Sequence, residues 1–140
     1  MTDIETAVQA LPGHTLVLCR NGNVWKSDLR GVAPMVDRLQ SGADLHGYSA
    51  ADKVVGRAAA MLFIVAGVVA VYAETMSLAA EELLHRHGIA TSCGERTDRI
   101  QNRDRTDICP MEKAVADTED VTEGVARIYA KLKELRGARP

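Results

Sequence analysis

The stretch from Ser49 to Ser77, SAADKVVGRAAAMLFIVAGVVAVYAETMS, is the most apolar part of the chain and decides its fold. Ser49 followed three residues later by Asp52 matches a capping box, in which a hydroxyl and a carboxyl group satisfy free backbone N–H groups at a helix start. We therefore predict a helix that begins near Ala50 and ends at Gly67. Its side chains are apolar on nearly all sides after the first two turns, which indicates a helix covered on several faces.

A buried strand is predicted after this helix. Residues 68–73 form a short apolar run without a polar residue, which suits a strand covered on both faces of a sheet. Glu74, Thr75 and Ser77 close the strand, and Ser77 is placed to cap a further helix over residues 78–87. Because the uncharged part of the stretch is shorter than the roughly 20 residues that a bilayer requires, a membrane span is not expected.

Composition indicates one domain of ordinary size over residues 1–140. The chain has 17 Lys and Arg against 19 Asp and Glu, a net charge of −2, and a pI of about 6.1. This balance provides no basic surface for nucleic acid and no polybasic patch for a membrane. Cys19, Cys93 and Cys109 are odd in number and form no CxxC pair, so neither a disulfide framework nor a four-cysteine zinc site is expected. The cytoplasm is the expected location.

Two features before the central stretch have strong local signals. Thr2, with Glu5 three residues later, matches a second capping box and predicts a short first helix. The Asn-Gly pair at residues 21–22 is suited to the positive φ angles of a type I′ turn. It predicts a hairpin between strands over residues 15–20 and 23–27.

The remaining elements are predicted from periodicity and boundary residues. We expect helices over residues 31–40 and 110–116, and a strand over residues 89–93 that forms a parallel, right-handed β-α-β unit with residues 68–73. A polar, charge-balanced loop is expected over residues 94–107. Apolar residues at helical spacing predict a final amphipathic helix docked on the sheet; they are Val121, Val125, Ile128, Leu132 and Leu135.

Several motifs resemble those of one family. They are the Asn-Gly hairpin, DKVVGRAAA at residues 52–60, VYAETMS at residues 71–77, QNR at residues 101–103 and CPMEKAV at residues 109–115. Together they look like the bacterial and archaeal family with domain of unknown function eighteen-ninety-three, over nearly the whole chain. The resemblance implies a cytidine deaminase-like fold, which is an α/β class: a three-layer α/β/α sandwich around a mixed sheet. It implies no established activity.

The ligand set of zinc deaminases can be compared with this sequence. Those enzymes use a His or Cys ligand with a glutamate two residues later at one helix start, and a Pro-Cys-x-x-Cys pair at another. Residues 52–54, Asp-Lys-Val, have no glutamate at the corresponding position. Alignment on Pro110 places Met111 and Ala114 where the two thiolates belong. We therefore expect no zinc and no other cofactor.

Lys53 and Arg57 are candidates for an anion site. Four residues apart in the predicted helix, they share one face near its start, where the helix dipole disfavours cations. Free N–H groups and two cations would together bind phosphate or carboxylate. Asp52 belongs to the same helix start, and Glu74 and Ser77 are expected beside it at the carboxyl end of the central strand. The alternative is that acidic side chains pair with both cations in structural ion pairs.

Cys109 is the candidate nucleophile. A thiol beside a helix start can be reactive, although no base can be assigned to it from the sequence. Glu112, at the third position of the same helix, is expected to cap it. Asn102 and Arg103, in the preceding polar segment, are candidate contacts for a nucleotide-like ligand, or ordinary loop residues.

Three functional hypotheses remain open. The first is a protein that binds a phosphorylated nucleoside or similar small anion between the helix starts at Asp52 and Cys109. The second is an enzyme of unknown reaction that uses Cys109, or an acid/base pair such as Asp52 or Glu74 with Lys53. The third is a non-catalytic interaction module. A small anionic or nucleotide-like ligand is the expected partner, nucleic acid and membranes are not expected, and a homo-oligomer is compatible with the sequence.

Overall fold

The computed structural model describes residues 1–101 and 108–137. Within these ranges the chain forms a mixed sheet with helices on both faces, and the predicted α/β class is confirmed. The elements are α1 (Asp3–Ala10), β1 (Leu16–Arg20), β2 (Asn23–Ser27), α2 (Ala33–Gln40), β3 (Ser49–Val55), α3 (Arg57–Ala66), β4 (Ala70–Ser77), α4 (Leu78–Arg86), β5 (Ala90–Thr97), α5 (Pro110–Val115) and α6 (Val121–Gly137).

The five strands follow the order β2-β1-β3-β4-β5. β1 is antiparallel to both β2 and β3, whereas β3, β4 and β5 are parallel to one another. The β4-α4-β5 unit is parallel as predicted, and a second parallel unit, β3-α3-β4, precedes it. The carboxyl ends of the three parallel strands therefore meet at one edge, where open α/β sheets bind ligands.

The helices form two outer layers. On one face, α1 packs through Ala7 and Leu11 against a small cluster that includes Val17 and Ala51. On the other face, α3 and α4 bury the main core. α6 packs mainly on α3 and α5 rather than on the sheet as predicted, because α3 lies between α6 and the strands. None of the helices in the described ranges combines the length and apolar character that crossing a membrane requires.

β3 is the main departure from the sequence prediction, because residues 49–55 form a strand and not the first half of a helix. Ser49 caps no helix. It is buried at the start of β3, which pairs with β1 on one side and β4 on the other. The helix begins only at Arg57, after Gly56. The alanines of this segment favour helix locally, but β1 and β4 provide backbone hydrogen-bond partners on both sides, and such tertiary pairing overrides weak propensities.

Other predictions that rest on turn and cap residues are confirmed, although the predicted Ser49–Asp52 capping box does not form. Thr2 and Glu5 form a reciprocal capping box at the start of α1. Asn21 and Gly22 have φ angles of 51° and 79°, as a type I′ turn requires. Gly67, with a φ angle of 80°, ends α3 in the left-handed conformation.

Candidate functional site

A pocket of about 570 Å³ lies at the carboxyl end of β3, between the starts of α2, α3 and α5. Its lining is mainly apolar, from Val54, Ala58, Ile100, Met111, Leu132 and Leu135 among others. The polar side chains in the lining are Arg30, Gln101, Cys109 and Glu112. This composition is typical of small-molecule sites, in which apolar walls surround a few polar groups that orient the ligand.

Glu112 of α5 caps α3 from across the pocket. Its Oε1 accepts a hydrogen bond from the Arg57 N–H and its Oε2 accepts one from the Ala58 N–H, both at 2.7 Å. A carboxylate is favourable at this position because the helix start carries a partial positive charge. Glu112 therefore caps a different helix from the one that we predicted. Its carboxylate also occupies the N–H groups that we had expected to bind a ligand anion.

Gly56 allows this close contact between α3 and α5. A Cβ atom at this position would lie 2.6 Å from the carboxyl carbon of Glu112 and 2.8 Å from Cγ1 of Ile100. The backbone at Gly56 is extended, with φ and ψ angles of −102° and −172°, so space and not conformation requires the glycine. We did not predict this role. The sequence did contain a signal for it, because Gly56 directly follows two β-branched residues that are typical of a strand. A glycine at such a position often marks the close approach of another group.

Lys53 and Arg57 do not share a helix face, because Lys53 lies in β3 and Arg57 is the first residue of α3. The Nζ of Lys53 lies 3.0 Å from Oε2 of Glu74 in β4. The Nη2 of Arg57 donates to the Thr118 carbonyl at 2.5 Å and lies 3.4 Å from Oε1 of Glu119. Each cation thus has a carboxylate partner, although Glu119 also pairs with Arg86, and neither Lys53 nor Arg57 lines the pocket.

Asp52 is a partly buried acid in β3. It lies opposite Leu16 of β1 and Ala73 of β4, on the sheet face that carries the main core. Burial raises the pKa of Asp52 to about 7, against the opposing effect of hydrogen bonds from the backbone N–H groups of Lys53 and Val54. The Lys53 N–H donates to its Oδ1 at 2.7 Å. Asp52 therefore titrates near neutral pH, two residues before Val54 of the pocket.

The other candidate residues have different locations. Ser77 is buried and caps α4 as predicted, since its Oγ accepts the Ala80 N–H at 3.1 Å. Cys109 lines the pocket, where its backbone N–H donates to the Ile100 carbonyl at 2.9 Å. Residues 102 and 103, the predicted contacts Asn102 and Arg103, lie outside the described residues.

The donor atoms at the pocket do not fit a zinc ion. Cys109 and Glu112 are the only side chains in its described lining of the types that commonly bind zinc. A tetrahedral protein site needs three or four such ligands. Across residues 1–101 and 108–137, no group of three His, Cys, Asp or Glu residues could hold a metal ion.

The start of α2 also opens into the pocket, and we did not predict it as a site. Arg30, Val32 and Ala33 contribute to the lining. α2 has no side-chain cap and no acidic residue in its first turn. Within the described part of the chain, Arg30 has neither an ion pair nor a side-chain hydrogen bond. No local sequence motif identifies the start of α2 as part of a binding site, because its position beside α3 depends on the tertiary fold.

The fold and the site define an α/β protein with a ligand-sized pocket at the carboxyl edge of a mixed sheet. A family model described as a domain of unknown function, DUF1893, matches residues 8–132, and the chain belongs to this family. A crystal structure of a DUF1893 family protein from Thermotoga maritima has a TM-score of 0.84 at 24% sequence identity. The match covers 92% of this chain and 89% of that chain, so the two proteins share a fold.

Two deaminase structures have lower similarity. A dCMP deaminase from the cyanophage S-TIM5 has a TM-score of 0.46 at 14% identity, over 68% of this chain and 94% of that chain. A diaminohydroxyphosphoribosylaminopyrimidine deaminase/5-amino-6-(5-phosphoribosylamino)uracil reductase from Thermotoga maritima has a TM-score of 0.43 at 15% identity, over 66% of this chain and 35% of that chain. A comparison with curated proteins gives no match.

Proposed function

We propose that this protein binds a small ring compound with an anionic group, of the phosphorylated nucleoside class, in the pocket between the starts of α2, α3 and α5. The observation that carries the proposal is the pocket, whose volume of about 570 Å³ and mainly apolar lining suit a ligand of that size. Three free cysteines and no disulfide in the described residues suit a reducing compartment, so we place the protein in the cytoplasm.

The apolar walls support the ring part of the proposal. Side chains such as Val54, Ile100 and Met111 would cover the faces of a planar ring and remove them from water. Glu112 is the fixed polar group beside them. Each of its oxygens accepts one backbone N–H and retains a second lone pair, so it can also accept an N–H or O–H of the ligand.

The starts of α2 and α3 differ in whether their backbone N–H groups are free to bind an anion. The N–H groups at the start of α3 already bind the Glu112 carboxylate, whereas the start of α2 has no cap. Arg30 adds a cation that has no ion-pair partner in the described residues. We therefore place the anionic group of the ligand at Arg30 and α2. Lys53 and Arg57 are less suitable because each already has a carboxylate partner.

Thermal unfolding with a ligand panel tests this proposal. The panel contains the common nucleoside monophosphates, their nucleosides, sugar phosphates and inorganic phosphate. A ligand at 100 times its Kd stabilises the folded state by about 2.7 kcal/mol, which raises the Tm of a domain of this size by several degrees. We expect such a rise for wild type with nucleoside monophosphates, and a smaller rise with nucleosides that lack the phosphate.

Two variants separate the candidate anion sites. Arg30→Ala should lose most of the rise in Tm, because it removes the cation at the pocket. Lys53→Ala is the matched control and should keep the rise, since Lys53 pairs with Glu74 outside the pocket lining. Protein dialysed against a chelator should behave as untreated protein does. If no compound of the panel raises the Tm of wild type, the proposal is rejected. If the rise in Tm is lost in Lys53→Ala and kept in Arg30→Ala, the anion binds at β3 instead.

A further inference from the structure

We infer that the last turns of α6, residues 132–137, form a movable wall of the pocket that the Asp37–Arg136 ion pair holds against α2. The inference concerns access to the same pocket and rests on the proposed function only for its biological meaning. Its test needs no ligand, so a failure of the proposed function would leave the result of that test unchanged.

The first half of α6 is firmly attached to the rest of the protein. Ile128 is fully buried in the main core. Gly124 packs so closely on α3 that a Cβ atom there would lie 3.1 Å from Cε of Met61. The Nη1 of Arg127 donates to the Ala114 carbonyl of α5 at 3.3 Å. This half of the helix cannot move without disturbing the core.

The movable wall has fewer attachments. Leu132 and Leu135 line the pocket, and they contact the edge of the main core while remaining only partly buried. The link to α2 is Arg136, whose Nη1 and Nη2 each lie 3.2 Å from a carboxylate oxygen of Asp37. The two side chains are 47% and 44% exposed, and ion pairs with such exposure are weak.

Packing between α2 and the wall is also incomplete. A space of about 320 Å³ lies between the two helices, lined by Val36 and Gln40 of α2 and by Tyr129, Lys133 and Arg136 of α6. A helix end with few buried contacts and an exposed ion pair belongs to the least stable parts of a fold. The wall can therefore move away from α2 while the first half of α6 stays in place, and this movement opens the side of the pocket that Leu132 and Leu135 close.

The three cysteines provide a direct measurement of this opening. Cys109 lines the pocket, Cys93 is partly buried in β5 away from it, and Cys19 is fully buried. Peptide mapping after brief treatment with a bulky maleimide gives a labelling rate for each thiol. Asp37→Asn and Arg136→Gln should each raise the rate at Cys109 by about two- to fivefold, the effect of losing one exposed ion pair, and should leave the rate at Cys93 unchanged.

Further variants make the interpretation specific. Reversing both charges, with Asp37→Arg and Arg136→Asp together, should return the rate at Cys109 towards that of wild type. Lys131→Gln removes an exposed ion pair with Glu134 in the same helix and should have no effect. Added salt should accelerate labelling of Cys109 in wild type and not in the single variants, because it screens the ion pair. Equal rates at Cys109 in wild type and both single variants would overturn the inference, as would a parallel rise at Cys93.

Discussion

Asp52 is a single residue whose ionisation affects the stability of the fold. Burial raises its pKa from 3.8 to about 7, so the folded state keeps a proton that the unfolded state releases at lower pH. Between about pH 4 and pH 7 the folded state therefore binds more protons than the unfolded state does. The contribution of Asp52 to the free energy of unfolding is present at low pH and is lost as the pH rises through this window.

Asp52→Asn removes this dependence, because an amide stays neutral at every pH and still accepts the Lys53 N–H. We expect the variant to be more stable than wild type at pH 8 by at least about 1 kcal/mol, since one pKa unit corresponds to about 1.4 kcal/mol. The difference should decrease towards pH 5. Urea unfolding at both pH values measures it, with Asp98→Asn at an exposed position as the control. If the variant and wild type differ in free energy of unfolding by the same amount at pH 5 and pH 8, Asp52 is already ionised in the folded state at pH 5.

The contact between α3 and α5 joins two elements that are far apart in the sequence. Glu112 reaches the first N–H groups of α3 only because Gly56 has no side chain. Gly56→Ala should force the two helix starts apart and lower the free energy of unfolding by about 1–3 kcal/mol, the usual cost of overpacking.

A second glycine provides the control for this prediction. A Cβ atom at Gly137, at the end of α6, would meet no other atom within 4 Å, and the φ angle of this residue is not positive. Gly137→Ala should be neutral or stabilise the protein by up to about 1 kcal/mol. Denaturant unfolding compares both variants with wild type. A Gly56→Ala variant as stable as Gly137→Ala would show that the starts of α3 and α5 are not in close contact.

Elements with a strong local signal could be predicted from the sequence. The capping box of α1, the Asn-Gly turn and the glycine that ends α3 each require particular residues within a few positions. β3 could not be predicted in this way, because Ser49 and Asp52 imitate a capping box and the nearby alanines favour a helix. Its strand conformation depends on pairing with β1 and β4, which are separated from it in the sequence.

The misassigned element explains which parts of the site were predicted. Cys109 and Glu112 were candidates because their signals belong to the helix start at Pro110, and both line the pocket. Lys53 and Arg57 were paired by helical spacing, which has no meaning once Lys53 lies in a strand. Arg30 was missed because its position depends on how α2 packs beside α3.

The pocket depends on the arrangement of the protein as a whole, because three helix starts from separate parts of the chain meet there. Within the described residues, one start is capped by a carboxylate from a neighbouring helix and another is uncapped beside an arginine without an ion-pair partner. We therefore propose that an anionic ring compound binds between these helix starts and not at the ion pairs of Lys53 and Arg57.

Amide chemical-shift mapping tests this claim most directly. Isotope-labelled protein is titrated in turn with each common nucleoside monophosphate, which detects weak as well as tight binding. We predict that the largest changes occur at the backbone N–H groups of Gly31, Val32 and Gly56, around the pocket. Changes centred on Lys53 and Glu74, or no changes with any nucleoside monophosphate, would contradict the claim.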